Sequence, residues 1–221
     1  MERHFDEELN NLKRLQLRMA DQAQEMIGLA VKSLVERNQD LAKEVFELEN
    51  GVNKQEVEIE DEILKLMALH QPAGSDLRFL TAMLKINNDL ERVADQAVNI
   101  AEISIRLLKE PPLKPLIDIP QMAKLAQNMI KQSLDALVRH DADLAKKVCE
   151  SDDEVDRLNE QVFRELLTYM MEDPKNITRA VDLILVSRNL ERVADHATNI
   201  SEDVIFIEQG KNIKHHLGEG A

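Results

Sequence analysis

The sequence predicts an all-α protein made of two pseudo-repeated three-helix bundles, each running up, down and up. Three observations carry that expectation. Gly and Pro number only six each in 221 residues, so the chain has few places to break. Apolar residues recur at alternating steps of three and four, the period of a helix with one buried seam. A block near the middle of the chain returns almost letter for letter near its end.

The elements follow in order. Phe5, Leu9, Leu12, Gln16, Met19, Ala23, Met26, Ala30 and Leu34 draw a first seam, polar only at Gln16. Leu41, Val45, Leu48, Val52, Ile59, Ile63 and Leu66 draw a second, which stops at His70-Gln71-Pro72-Ala73-Gly74. Ser75 or Asp76 is the expected N-cap of a third helix that runs to about Lys109, roughly 50 Å at the helical rise. The only Pro-rich stretch, 111–120, then reads as a stiff linker between a first domain, 1–110, and a second, 121–208. Met122, Leu125, Met129 and Ser133 open a fourth helix, and Val155, Leu158, Val162, Leu166 and Tyr169 mark a fifth. Asp173-Pro174 interrupts the chain before a sixth helix, from about Asn176 to Glu208. Residues 209–221, with three glycines and His215-His216, read as a flexible tail.

The duplication is explicit. Leu90-Glu91-Arg92-Val93-Ala94-Asp95 recurs as Leu190-Glu191-Arg192-Val193-Ala194-Asp195, and Asp40-Leu41-Ala42-Lys43 matches Asp143-Leu144-Ala145-Lys146. Long helices joined by short turns pack antiparallel, so each half reads as one bundle.

Composition narrows the function. The net charge is −14, from 42 acidic against 28 basic residues, which repels nucleic acid and anionic membranes and suits cations or a basic partner. No apolar run approaches the roughly 18–20 residues of a bilayer span. The first ten residues do not resemble a secretory leader, and the single Cys149 fits a reducing compartment. A cytoplasmic protein is expected. Aromatic residues are only 3%, so Leu, Ile, Val, Met and Ala must build the core. Cys149 is expected to pack as a small apolar side chain, and the methionines to fill seams.

On a helical wheel, Leu90, Val93, Ala94, Ala97, Ile100 and Ala101 share one face. Asn88, Glu91, Asp95, Asn99 and Glu102 fall in a sector nearly opposite; the second half repeats it with Arg188, Glu191, Asp195, Asn199 and Glu202. An acid four residues from another acid costs a few tenths of a kcal/mol on a solvated helix, yet the arrangement is kept twice. Glu91, Asp95, Asn99, Glu191, Asp195 and Asn199 are therefore the candidate metal ligands, with Asn88, Glu102 and Glu202 extending the rows. Oxygen donors without a thiolate select a hard ion such as Mg²⁺, Mn²⁺, Ca²⁺ or oxidised iron, in a site that could hold more than one. One row supplies too few ligands alone, so water, another helix or a partner must complete it. Arg92 and Arg192 can each reach an acid three residues away, and His196 is expected on an adjacent, solvent-facing side. A plain solvated face, a metal-dependent hydrolase or oxidase, and a purely structural scaffold are the competing readings. No Glu-x-x-His of the ferritin type, phosphate-cradling Gly-rich loop or nucleophile motif supports a catalytic one.

With its duplicated Glu-x-x-x-Asp motif and the Ser75-Asp76-Leu77-Arg78 run, the sequence resembles the PhoU family from the first helix to about Glu208. The resemblance implies two spectrin-repeat-like three-helix bundles, a homodimer, and metal clusters, iron in some cases, held by the Glu-x-x-x-Asp motifs. It further implies a negative regulator of the phosphate-starvation response, not an enzyme. Its partners would be the ATP-binding subunit of the high-affinity phosphate ABC transporter and the phosphate-sensing histidine kinase, with recruitment to the inner face of the membrane through them. Arg188 in place of Asn88 departs from an equal pair of sites.

Overall fold

In a computed structural model, which describes residues 2–211 and 213, six α-helices and one 3-10 turn are present, with no strand among the described residues. They are α1 (Glu2–Val35), α2 (Gln39–His70), α3 (Ser75–Leu107), α4 (Asp118–Arg139), α5 (Ala142–Glu172), the 3-10 turn (Pro174–Asn176) and α6 (Ile177–Gln209). The expected tail falls largely on 214–221, outside the described residues.

Local chemistry sets each boundary. Asn38 caps α2 by accepting from the Asp40 amide, and Asp141 caps α5 by accepting from Leu144. Gln71 and His140 end α2 and α4 in the left-handed region, their amides reaching back to Met67 and Ala136. The expected cap of α3 is corrected: Gly74, at φ +59, precedes the helix with no side-chain cap, and Ser75 and Asp76 lie in its first turn. A chain leaving Pro72 must swing through a left-handed φ to enter α3, and glycine does so without a Cβ penalty. The fourth helix begins earlier than its seam indicated, since Ile119 is buried and Pro120 sits in the first turn, where a missing amide proton costs nothing.

α1, α2 and α3 pack together, as do α4, α5 and α6. The seams read from the sequence are the cores: Leu12, Met19, Ala23, Met26 and Ala30 meet Val45, Val52, Ile59 and Ile63 in the first bundle. Gln16 is fully buried, its Nε2 donating to Met83 O at 3.1 Å.

The bundles also pack against each other, chiefly through α3 and α6. These two helices therefore bury two sides each, and polar groups along the shared seam pair across it. Lys85 Nζ meets Asp203 Oδ1 at 3.2 Å, Asp89 meets His196 at 2.8 Å, and Arg106 meets Asp182 at 2.9 Å. Residue numbers rise on α3 as they fall on α6, so the two run antiparallel. A second contact joins α1 to α4, where Gln127 Nε2 donates to Gln24 O at 2.7 Å. Gly28 permits that approach, because a Cβ there would lie 3.1 Å from the Gln127 amide.

Candidate metal centre

The acidic rows of α3 and α6 do not lie free on the outer surface. Each runs beside a neighbouring helix of its own bundle, and that helix carries carboxylates of its own. In the first bundle Glu91 and Asp95 on α3 share an electrostatic field with Glu49 and Glu56 on α2. Partial burial raises the Glu91 carboxyl above the usual range, and Asp95, Glu56 and Glu49 raise it further, against a lowering by Arg92. Glu49 is raised by burial, then by Asp95 and Glu102. Arg92 behaves as the spacing predicted: its Nη1 lies 3.0 Å from Asp95 and its Nε 3.5 Å from Glu91. Asn88, Asn99 and Glu102 are exposed along the same rim.

The second bundle repeats the plan with a stronger charge conflict. Asp152 on α5 is pushed up to about 7, first by burial and then by Asp195, Asp156 and Glu191. Its Oδ1 is buried without a hydrogen-bond partner among the described residues. Glu191 is raised by burial, Asp195 and Asp156, with Arg188 and Arg192 pulling it down. Asp195 is raised by burial and by Asp156, against His196 and Arg192. Burial, with Glu202 and Asp152 nearby, pushes the Cys149 thiol up to about 12, so it stays protonated. That suits its expected role as a small packed side chain.

α2 and α5 supply ligand candidates that the wheel of a single helix missed. The signal was present in the repeat register. Aligning Asp40-Leu41-Ala42-Lys43 on Asp143-Leu144-Ala145-Lys146 sets Glu49 opposite Asp152, and Asp152-Asp153-Glu154-Val155-Asp156 itself spaces two acids by four. Both helices turn these positions toward the acidic row of their neighbour because Val52 and Val155 are buried on the core side.

One expectation changes. His196 is not on a solvent-facing side; its side chain is largely buried, with Nδ1 held by Asp89 of α3. Asn199 directs its Nδ2 to the same Asp89 oxygen at 3.3 Å, so that nitrogen reaches the inter-bundle seam.

A family model described as the PhoU domain matches residues 17–104 and again 119–204, each stretch spanning three helices. The chain belongs to the PhoU family. The phosphate-specific transport system accessory protein PhoU homolog of Aquifex aeolicus is 43% identical over 213 residues, covering 96% of each chain. The homolog of Pseudomonas putida is 38% identical over 212 residues, covering 96% of this chain and 83% of that one. The crystal structure of PhoU from Pseudomonas aeruginosa superposes with a TM-score of 0.90 at 37% identity, over 94% of this chain and all of that one. The phosphate transport system regulatory protein PhoU from Streptococcus pneumoniae gives 0.86 at 26% identity, over 94% of this chain and 98% of that one.

The acidic rows fit a hard cation in their chemistry. Their donors are oxygens, the carboxylates repel one another, and Asp152 leaves a buried oxygen without a partner among the described residues. Asp152, Asp156, Glu191 and Asp195 would hold an ion in the second bundle, and Glu49, Glu91 and Asp95 in the first. A bound ion would supply the positive charge that this clustering lacks. Among the described residues, no three His, Cys, Asp or Glu side chains stand in a ready-made ligating arrangement, so the carboxylates would close onto the ion as it binds.

Proposed function

We propose that this chain is an accessory protein of phosphate transport that works as a metal-binding regulatory adaptor. It takes a hard ion at each helix-pair cluster, with iron, manganese and magnesium the candidates, and it represses the phosphate-starvation response. Its partners are the ATP-binding subunit of the phosphate ABC transporter and the phosphate-sensing histidine kinase. It meets them in the cytoplasm, at the inner face of the membrane, as a homodimer, and does no chemistry of its own. The observation that carries the metal half of this reading is the facing of two acidic helices, with Asp152 raised to about 7 and one of its oxygens unpartnered. The names of its relatives support the phosphate half. No helix among the described residues is long and apolar enough to cross a membrane, which is compatible with recruitment through partners.

The test combines Glu91→Ala, Asp95→Ala, Glu191→Ala and Asp195→Ala in one chain. Loss of bound metal together with loss of repression of phosphate-uptake genes supports the whole reading. Unchanged metal and unchanged repression reject the role of the rows. Lost metal with intact repression separates metal binding from regulation.

A further inference from the structure

The outer groove between α5 and α6 carries an apolar stripe that the first bundle matches only in part. On α5, Phe163, Leu167 and Met171 follow one another at four-residue steps, and all three are exposed, Met171 at 86%. On α6, Ile177 and Val181 are exposed at the same spacing, and Ile184 continues their line. The helices are antiparallel neighbours in fixed register: Ser187 Oγ donates to Asn159 Oδ1 at 2.8 Å, and Asn176 Nδ2 to Tyr169 O at 3.0 Å. That register sets Phe163 across from Ile184, which line one cavity. Side chains at i, i+4 and i+7 or i+8 form a continuous ridge on a helix. Here two such ridges flank one groove.

Water contact with so many apolar groups on one face is unusual for a surface with no partner. In the repeat-equivalent positions of the first bundle, Glu60 replaces Phe163, Ala68 replaces Met171 and Thr81 replaces Val181, while Leu64 and Leu77 stand opposite Leu167 and Ile177 and are exposed too. The stripe is therefore not a demand of the bundle fold, which forms in both halves. At its far end the groove turns acidic: Asp156, Glu160 and Glu191 line the same cavity as Phe163, with Arg188 also lining it and Arg164 ion-paired to Glu160 at 3.1 Å.

We propose that this groove docks an amphipathic helix of another protein, with an apolar stripe along one side and Lys or Arg at one end. The apolar ridges receive the stripe, in the helix-in-groove mode, and in the metal-free protein Asp156 and Glu191, which would otherwise hold the ion, receive the basic end. Charge complementarity selects this occupant over a second copy of the chain, whose net charge of −14 would bring more acid to an acidic groove. From Asp156 to Met171 the groove runs roughly 22 Å, which sets the partner segment at about four turns. The proposal deepens the adaptor reading and rests on it, naming one face by which an adaptor holds a partner.

The test uses the full chain in chelator and a labelled four-turn Leu/Lys peptide with leucines on one stripe and lysines clustered at one end. Fluorescence anisotropy compares wild type, the groove variant Phe163→Ser/Leu167→Ser/Val181→Ser, and a first-bundle control, Leu64→Ser/Leu77→Ser. All five substituted positions are exposed, so the variants should fold, and a thermal melt by circular dichroism verifies it. Binding weakened at least tenfold in the groove variant alone supports the proposal. Equal binding by all three proteins, or no binding by wild type, overturns it. A wild-type dimer in sedimentation velocity that the groove variant turns into monomer also overturns it, by making a second copy the occupant. Repression of phosphate-uptake genes that survives in the groove variant after peptide binding is lost overturns the groove as the docking face, while the acidic-row variant tests the adaptor reading separately.

Discussion

His196 Nδ1 donates to Asp89 Oδ1 at 2.8 Å, joining α6 to α3 in the seam between the two bundles. Both side chains are largely buried, and Asn199 adds a longer contact to the same oxygen. The neighbouring Asp195 belongs to the acidic row facing α5, so successive residues of α6 serve two different interfaces. His196→Ala should destabilise the protein by about 1–3 kcal/mol, because it leaves a buried carboxylate short of its main donor. Urea unfolding measures it, and the double variant with Asp89→Asn should cost less than the two single changes added together.

Asp152 should make the metal-free protein less stable as pH rises. Its carboxyl titrates near 3.8 when unfolded and is pushed up to about 7 when folded. The neutral form is thus favoured by folding. Stability is full below pH 4, falls as pH rises through the interval, and levels off above about 7. Because Asp152 is only half-buried, screening by water trims the effect to about 1–2 kcal/mol. Asp152→Asn, melted in chelator, should gain roughly 2–6 °C at pH 8 and nothing at pH 4. A gain of equal size at both pH values would remove the charge conflict as its cause.

Gln16 offers a contrast, since it is polar but holds no charge. It is fully buried, with Nε2 bonded to Met83 O and Oε1 unpartnered among the described residues. Gln16→Met exchanges one hydrogen bond for relief of the orphaned oxygen, at nearly constant volume. Stability should change by less than about 1 kcal/mol in either direction, measured by urea unfolding.

Cys149 should resist alkylation. Its thiol is pushed up to about 12, and the side chain is buried beside Thr198 O. Only the thiolate attacks iodoacetamide, so at pH 7.5 the folded protein should label far more slowly than the protein in urea. Intact mass spectrometry over an hour distinguishes the two.

Periodicity made the seams legible because a core side chain must return to the same face every three or four residues, and Met19, Ile63 and Val162 all do so. The duplication made the pairing of bundles legible in the same way. What a single helical wheel does not show is the helix beside it. Glu49 and Asp152 completed the acidic rows from α2 and α5, and only the repeat alignment hinted at them. The same limitation hid His196. A wheel divides a helix into one buried and one wet face, whereas α6 is packed on two sides and gives His196 to the second. Gly74 reads from the sequence as part of the stop after α2 and not as the N-cap of α3, because that role depends on a left-handed φ, which no neighbouring side chain announces.

The most direct measurement is the metal content of protein purified without chelator, for wild type and for two variants of the second bundle. One variant carries Glu191→Gln and Asp195→Asn on α6, and the other carries Asp152→Asn and Asp156→Asn on α5. If facing helices share each site, wild type holds metal and both variants lose the same portion of it. Metal lost with the α6 changes but retained in full with the α5 changes, or no metal in wild type, would contradict a centre built between the two helices.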